Sequence, residues 1–232
     1  MDTAEFDQFA DEYDQVHEKN IAVTGEKPEF FHEYKIKALR ELAKGRNLQP
    51  ESILDFGSGI GNSTPFFRRY FPGAQLAGAD VSQRSLDVAE SRFPGVSTGL
   101  RIEGQRIPAA DDAFAVTFSA CVFHHIPHEE HVHWLSELRR VTRPGGMLGI
   151  FEHNPLNPLT VRAVNTCPFD ENAHLIKAKE LVERYRESGW KDPKVNYHLF
   201  FPHALSGLRT LEAYLSGIPF GGQYSVTAVK AG

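Results

Sequence analysis

Cysteine is scarce in this chain: Cys121 and Cys167 are the only two among 232 residues. So few exclude a disulfide framework and a cysteine-based zinc cluster, and they fit a reducing compartment. No apolar run approaches the roughly 20 residues that a membrane-crossing helix needs. The first residues, Met1 to Asp7, are acidic and lack the charged-then-apolar order of a signal peptide, so the expected location is the cytoplasm. Runs of Lys and Arg are missing as well. The 25 basic residues are scattered against 30 acidic ones, which leaves no footprint for a nucleic-acid backbone and points to a small-molecule substrate. Neither an internal repeat nor a low-complexity linker interrupts the chain.

What is present is a core. With 41% hydrophobic residues the chain can fill one large domain, with strands expected near residues 52–56, 75–79, 97–102, 116–119 and 147–151. Helical patterns near 63–70, 85–93 and 129–141 alternate with them, the mark of a parallel sheet covered on both faces. Before the core, Phe6, Phe9, Ala10 and Tyr13 recur at helical spacing, and residues 34–43 suggest a second helix leading into the first strand.

The densest signal is Ile53-Leu54-Asp55-Phe56-Gly57-Ser58-Gly59-Ile60-Gly61, an apolar strand that runs into a glycine-spaced turn and opens a helix. Glycines at 57, 59 and 61 let a ligand lie against bare backbone, and the helix start offers unpaired N–H groups. A dinucleotide loop would read G-x-G-x-x-G, because a pyrophosphate must reach the helix N-terminus. Here Asp55 precedes the turn, where its carboxylate would repel a pyrophosphate but could orient an ammonium group. Gln75 to Asp80 reads as a second strand ending in a carboxylate, and Asp80 stands at the distance from the glycine turn expected of a ribose reader, followed by Val81 and the N-cap candidate Ser82.

Further on, Glu103-Gly104-Gln105-Arg106-Ile107-Pro108 precedes Asp111-Asp112-Ala113-Phe114, and Ser119 to Pro127 contains the His124-His125 pair. Arg143-Pro144-Gly145-Gly146 then leads into the strand ending at Glu152. In this order, from about Ser52 to Glu152, these segments resemble the class I (Rossmann-like) S-adenosylmethionine-dependent methyltransferases. The likeness is to the small-molecule type of the ubiquinone and menaquinone biosynthesis group. The resemblance implies a doubly wound α/β fold: a mostly parallel seven-stranded sheet with an antiparallel C-terminal hairpin and helices on both faces. It implies S-adenosylmethionine as cofactor and S-adenosylhomocysteine as product. It assigns cofactor binding to Asp55, Gly57, Ser58, Gly59, Gly61, Asp80, Val81, Glu103, Gly104 and Ser119, with Tyr13 of a Tyr13-Asp14 element closing over the sulfonium end. The chain departs from the family pattern with Glu in place of Asp at 103 and with Ala115 where an Asp usually follows the Phe.

Residues just beyond the fourth and fifth strands face the methyl acceptor in an open α/β sheet. His124, Glu152 and Asn154 are therefore expected at the substrate, with His153 and then His125 as the base that removes an acceptor proton. The Asn154-Pro155 and Asn157-Pro158 steps read as turns that stiffen this loop. No metal ligand set is expected: His131 and His133, two apart on a helix, diverge, and with His128 they read as exposed helix residues. Between the closing strands, expected near 194–201 and 224–230, residues 202–223 form an insert with Leu205, Leu208, Leu211 and Leu215 on one helical stripe. That stripe packs on the core, forms a lid, or makes an oligomer contact; a monomer and a homodimer both remain open. Methyl transfer to oxygen, or else nitrogen, of a metabolite is the expected activity. An NAD(P)-dependent oxidoreductase would share the glycine turn and Asp80 but has no use for Asp55 or Glu103. A non-catalytic S-adenosylmethionine-binding regulator would lack the acceptor pocket.

Overall fold

The computed structural model describes residues 24–170 and 172–232. Tyr13 and the helix expected at residues 6–13 lie outside them. Strands β1 (Ser52–Phe56), β2 (Gln75–Asp80), β3 (Thr98–Arg101), β4 (Phe114–Ala120), β5 (Thr142–His153), β6 (Lys191–His198) and β7 (Gln223–Val229) form one sheet in the order β3-β2-β1-β4-β5-β7-β6. The first five strands pair in parallel, and β7 runs antiparallel between β5 and β6. The chain reverses its strand order between β1 and β4, so the carboxyl ends of these two strands bound the crevice where open α/β sheets take ligands.

Helices α1 (Pro28–Lys44), α2 (Thr64–Tyr70), α3 (Gln83–Arg92), α4 (His131–Val141), α5 (Pro158–Asn165), α6 (Ala178–Glu187) and α7 (Glu212–Leu215) complete the described chain. Ile36 and Leu39 of α1 and Phe66 and Phe67 of α2 pack on Ile53, Phe118 and Met147 from one side of the sheet. Trp134, Leu138, Leu181 and Tyr185, from α4 and α6, pack on Leu54, Phe56 and Ile150 from the other. Neighbouring residues such as Ile53 and Leu54 thus serve opposite cores, as the period-two geometry of a strand requires. Tyr185, Trp190 and Tyr224 are buried with their polar atoms donating to the carbonyls of Val226, Leu135 and Ile176.

Two segments differ from the sequence expectation. The residues after β5 contain α5, where Asn157 accepts from Leu159 N (3.0 Å) and Thr160 N (3.1 Å) and Pro158 opens the helix. An Asn-Pro pair marks a turn, but it is equally an N-cap followed by the residue best suited to the first helical position.

The insert folds as a 3₁₀ helix, His203–Leu211, running into α7. The backbone kinks at Leu205 (φ -113°, ψ 22°), and Leu205, Leu208 and Leu211 remain 48%, 43% and 47% exposed, so these leucines do not pack on the core. Polar contacts hold the segment instead. Buried Glu212 accepts from Phe200 N (3.0 Å), Phe201 N (3.2 Å) and the Tyr34 hydroxyl (3.1 Å), while Arg209 pairs with Glu26 and lies 4.4 Å over the Phe30 ring. The insert is therefore clasped to α1. Glu212→Ala would strip partners from two backbone N–H groups and Tyr34, at about 1–3 kcal/mol for each buried group left bare. Limited proteolysis should cut within residues 203–220 faster in Glu212→Ala than in the parent chain, with Leu208→Ser unchanged.

Candidate functional site

At the carboxyl rim, β1 ends in a turn whose glycines have two distinct reasons. A Cβ at Gly57 (φ 75°) would lie 2.3 Å from Val122 Cγ2, so the loop after β4 can cross only over a bare backbone. A Cβ at Gly59 (φ 51°) would meet nothing within 4 Å, which leaves an open face beside the peptide. Asp80, at the end of β2, ties this turn down: Oδ2 accepts from Gly59 N (2.8 Å) and Oδ1 from Ser82 N (2.9 Å). Ser82 in turn caps α3 by accepting from Ser85 N. Ile102 N donates to Asp80 O (2.8 Å), which carries the exposed Glu103-Gly104 turn to the same rim. Val81, half-buried, packs beside it.

Asp55 is buried next to Asp80. Loss of solvent and the Asp80 charge raise its carboxyl from 3.8 to about 7, against the pull of Lys35. Lys35 is itself buried, on the inward stripe of α1 that continues through Leu39 and Ala43. Ser58 Oγ and Ser119 Oγ are buried without a hydrogen-bond partner among the described residues. A cavity of about 230 Å³ reaches Asp55 and Ser58 from between α3 and the sheet, but Asp80, Glu103 and Ser119 do not line it.

The other half of the crevice is built around Glu152, 1% exposed near the end of β5. One carboxylate oxygen accepts from Val122 N (3.1 Å) and Phe123 N (2.8 Å), the other pairs with His124 Nδ1 (2.6 Å). Burial works against a charge on His124, but the Glu152 and Asp170 carboxylates prevail and hold its imidazolium to about 10. His125, beside Asp170, is pushed down to about 4 by burial and by the neighbouring His124 charge. The His153 ring lies 5.2 Å from that of His124. Asn154 spends its side chain on its surroundings: Nδ2 donates to Pro219 O (3.1 Å) and Gly221 O (2.8 Å), and Oδ1 accepts from Leu156 N (3.1 Å). His131, expected on the helix exterior, is instead fully buried. It contacts Ile126 O through Nε2 (2.9 Å), pairs with Arg184 and packs edge-on against Phe123.

A family described as a methyltransferase domain matches residues 53–146, the span from β1 into β5. The ubiquinone/menaquinone biosynthesis C-methyltransferase of Desulfotalea psychrophila is 30% identical over 116 residues, 49% of this chain and 46% of its own. The demethylmenaquinone methyltransferase of Lactobacillus johnsonii is 26% identical over 163 residues, 66% of this chain and 62% of its own. The chain thus spans less than two thirds of each of these enzymes. A solved SAM-dependent methyltransferase from Thermotoga maritima superposes with a TM-score of 0.70 at 18% identity, covering 98% of this chain and 99% of that one, a likeness of fold. Residues 53–146 match a methyltransferase domain, and the chain as a whole has the fold of the S-adenosylmethionine-dependent methyltransferases.

The rim of this methyltransferase suits a ligand with a nucleoside, an ammonium and a carboxylate: it offers an open backbone face at Gly59, a buried carboxylate at Asp55, a buried ammonium at Lys35 and two unpartnered hydroxyls. Three side chains of the crevice escaped the sequence reading. Lys35 could have been found as the one charge on the inward stripe of α1. Cys121 has φ 57°, a strained value for a non-glycine residue. Burial raises its thiol, but the charges of Lys35 and His153 and a hydrogen bond with His153 bring it down to about 7. Asp170 reaches the site from a segment with no local signal. Removing His124 would leave the Glu152 charge buried without its cation. His124→Ala is expected to cost roughly 3–5 kcal/mol in urea unfolding, whereas His133→Ala, on the exposed face of α4, should stay near the parent value.

Proposed function

We propose that this methyltransferase transfers a methyl group from S-adenosylmethionine to an oxygen, or else a nitrogen, of a small metabolite. The observation that carries the reading is the buried Asp55 carboxylate beside the Asp80-tethered glycine turn, with Lys35 as its counter-charge. Asp55 would take the ammonium of the cofactor, directly or through water, and Lys35 its carboxylate. Asp80 would accept from the ribose hydroxyls, exchanging its hold on Gly59 N for them, and Glu103 with Gly104 would meet the adenine edge. When bound, the cofactor supplies the methyl group on a sulfonium that is already a good leaving group. The chain's part is to hold an acceptor lone pair in line, exclude water, and take the acceptor's proton.

His153 is assigned that proton, at a ring nitrogen, from its place at the end of β5. Glu152 acts one step back, by fixing the loop that carries His124 and His125. Asn154 shapes the pocket by anchoring the 219–221 backbone. Two matched relatives are, by their names, a ubiquinone/menaquinone biosynthesis C-methyltransferase and a demethylmenaquinone methyltransferase; for this chain, a small acceptor with a hydroxyl or carboxyl group is the class to test first.

Calorimetry should detect binding of S-adenosylmethionine and S-adenosylhomocysteine and none of NAD⁺. Binding of NAD⁺ alone would overturn the reading. Asp55→Asn removes a charged hydrogen-bond acceptor worth about 1.5–3 kcal/mol, so affinity should fall roughly 10- to 100-fold. The sign of the pH effect follows from Asp55. Its folded value of about 7 lies above its ordinary 3.8, so between these the folded chain keeps a proton that the unfolded chain has released. Stability of the free chain therefore declines as pH rises from about 4 to 7, while affinity for an ammonium-bearing ligand climbs over the same window. Both slopes should flatten in Asp55→Asn. With radiolabelled cofactor and a panel of hydroxy, carboxy and amino compounds, His153→Gln should lower kcat and leave cofactor affinity intact.

A further inference from the structure

We propose that His124 Nε2, His125 Nε2 and the Asp170 carboxylate form a binding site for one divalent transition-metal ion of the zinc type. The three donor atoms lie within 4.8 Å of one another, in the loop after β4 and the turn Pro168–Asp170 that packs over it. Asp170 Oδ1 is 3.4 Å from His124 Nε2 and 3.5 Å from His125 Nε2. Zinc sits about 2.1 Å from imidazole nitrogen or carboxylate oxygen, and a tetrahedron of that size has edges of about 3.4 Å. Two of the three edges are already at that length.

A second observation points to a ligand independently of the spacing. His124 is 1% exposed, and among the described residues its buried Nε2 has no hydrogen-bond partner, only the loose 3.4 Å ion pair with Asp170. Its other nitrogen, Nδ1, is held at 2.6 Å by Glu152. Carboxylate to Nδ1, with Nε2 turned toward a shared point, is the arrangement by which proteins orient a metal-binding histidine and raise its basicity. Glu152 is in turn locked by two backbone N–H groups, so the orientation does not rest on a mobile side chain. Two imidazoles and one carboxylate select zinc, iron(II), cobalt or nickel over calcium or magnesium, which prefer oxygen. Charge balances as well: Asp170 and Glu152 offset a dication once His124 gives up its Nε2 proton, one proton released for each ion bound. Three protein ligands leave a coordination position for water or an acceptor oxygen on the substrate side of the crevice.

The test does not involve methyl transfer, so its failure and the failure of the proposed activity are separate results. The full chain, stripped with a chelator, is titrated with Zn²⁺ by calorimetry and with Co²⁺ by visible absorption in the absence of cofactor. One equivalent should bind, with Co²⁺ bands of a low-coordinate nitrogen and oxygen site. Glu152→Gln should weaken binding roughly 10- to 100-fold, and His125→Ala and Asp170→Asn, whose side chains are partly exposed and so are expected to fold, should weaken it further. His128→Ala and His203→Ala, a half-buried and an exposed histidine outside the cluster, should bind as the parent does. The site is refuted if the stripped chain takes up no metal, or if His125→Ala and Asp170→Asn still bind it with parent affinity; the His124 imidazolium clamped by two carboxylates would then be the whole purpose of the cluster.

Discussion

A carboxylate with no access to water must be satisfied by the chain around it, and Glu152 meets this demand with two backbone N–H groups and the Nδ1 of His124. These bonds join the end of β5 to the loop leaving β4. They set where Val122 lies, and Val122 is the side chain that forbids a Cβ at Gly57. The same clamp fixes the rotation of His124 and so the direction of its Nε2. The two halves of the crevice, the cofactor rim and the histidine cluster, therefore share one support, since a shift of the loop after β4 would be felt both at the glycine turn and at His125 and Asp170.

A second theme is that buried charges occur here in opposition. Asp55 faces Asp80 and Lys35, and His124 stands between Glu152 and Asp170. Such groups are costly to bury singly and tolerable when paired. At the rim the pairing is incomplete: Asp55 is pushed toward neutrality by burial and by its like-charged neighbour, so a cationic ligand would restore its charge. In the histidine cluster the partners are nearer complete, with the 3.4 Å pair of His124 Nε2 and Asp170 the loose member. Both imbalances lie at the carboxyl ends of β1, β4 and β5, where the strand order reverses and helices cannot cover the sheet.

Much of the geometry of the glycine-turn rim was legible in the residues because its signals are local. A strand, a glycine turn and a carboxylate follow one another from Ile53 to Gly61, and the next strand repeats the logic at Asp80. The substrate side was less legible. Glu152 lies near the end of β5 and Asn154 directly after it, yet which atoms they satisfy depends on Val122, Phe123 and the 219–221 backbone, all distant in the chain. The leucine stripe of the insert misled because the segment breaks into short 3₁₀ turns kinked at Leu205, and only the clasp of Glu212 to Tyr34 shows which face turns inward. His131 misled in the same way: its burial comes from Phe123 and from Arg184 of α6, which no helical wheel of α4 contains.

The amino-acid order alone determined the alternation of strands and helices, the glycine turn with its flanking carboxylates, and hence the class of cofactor, since each depends on residues a few positions apart and on the stereochemistry of the backbone. Tertiary structure alone decided that Lys35 stands opposite Asp55, that Cys121 meets His153, and that Asp170 comes within reach of His124 and His125. The physical reason is that charge and coordination act through space over a few ångströms, and packing sets those separations between segments that sequence leaves far apart.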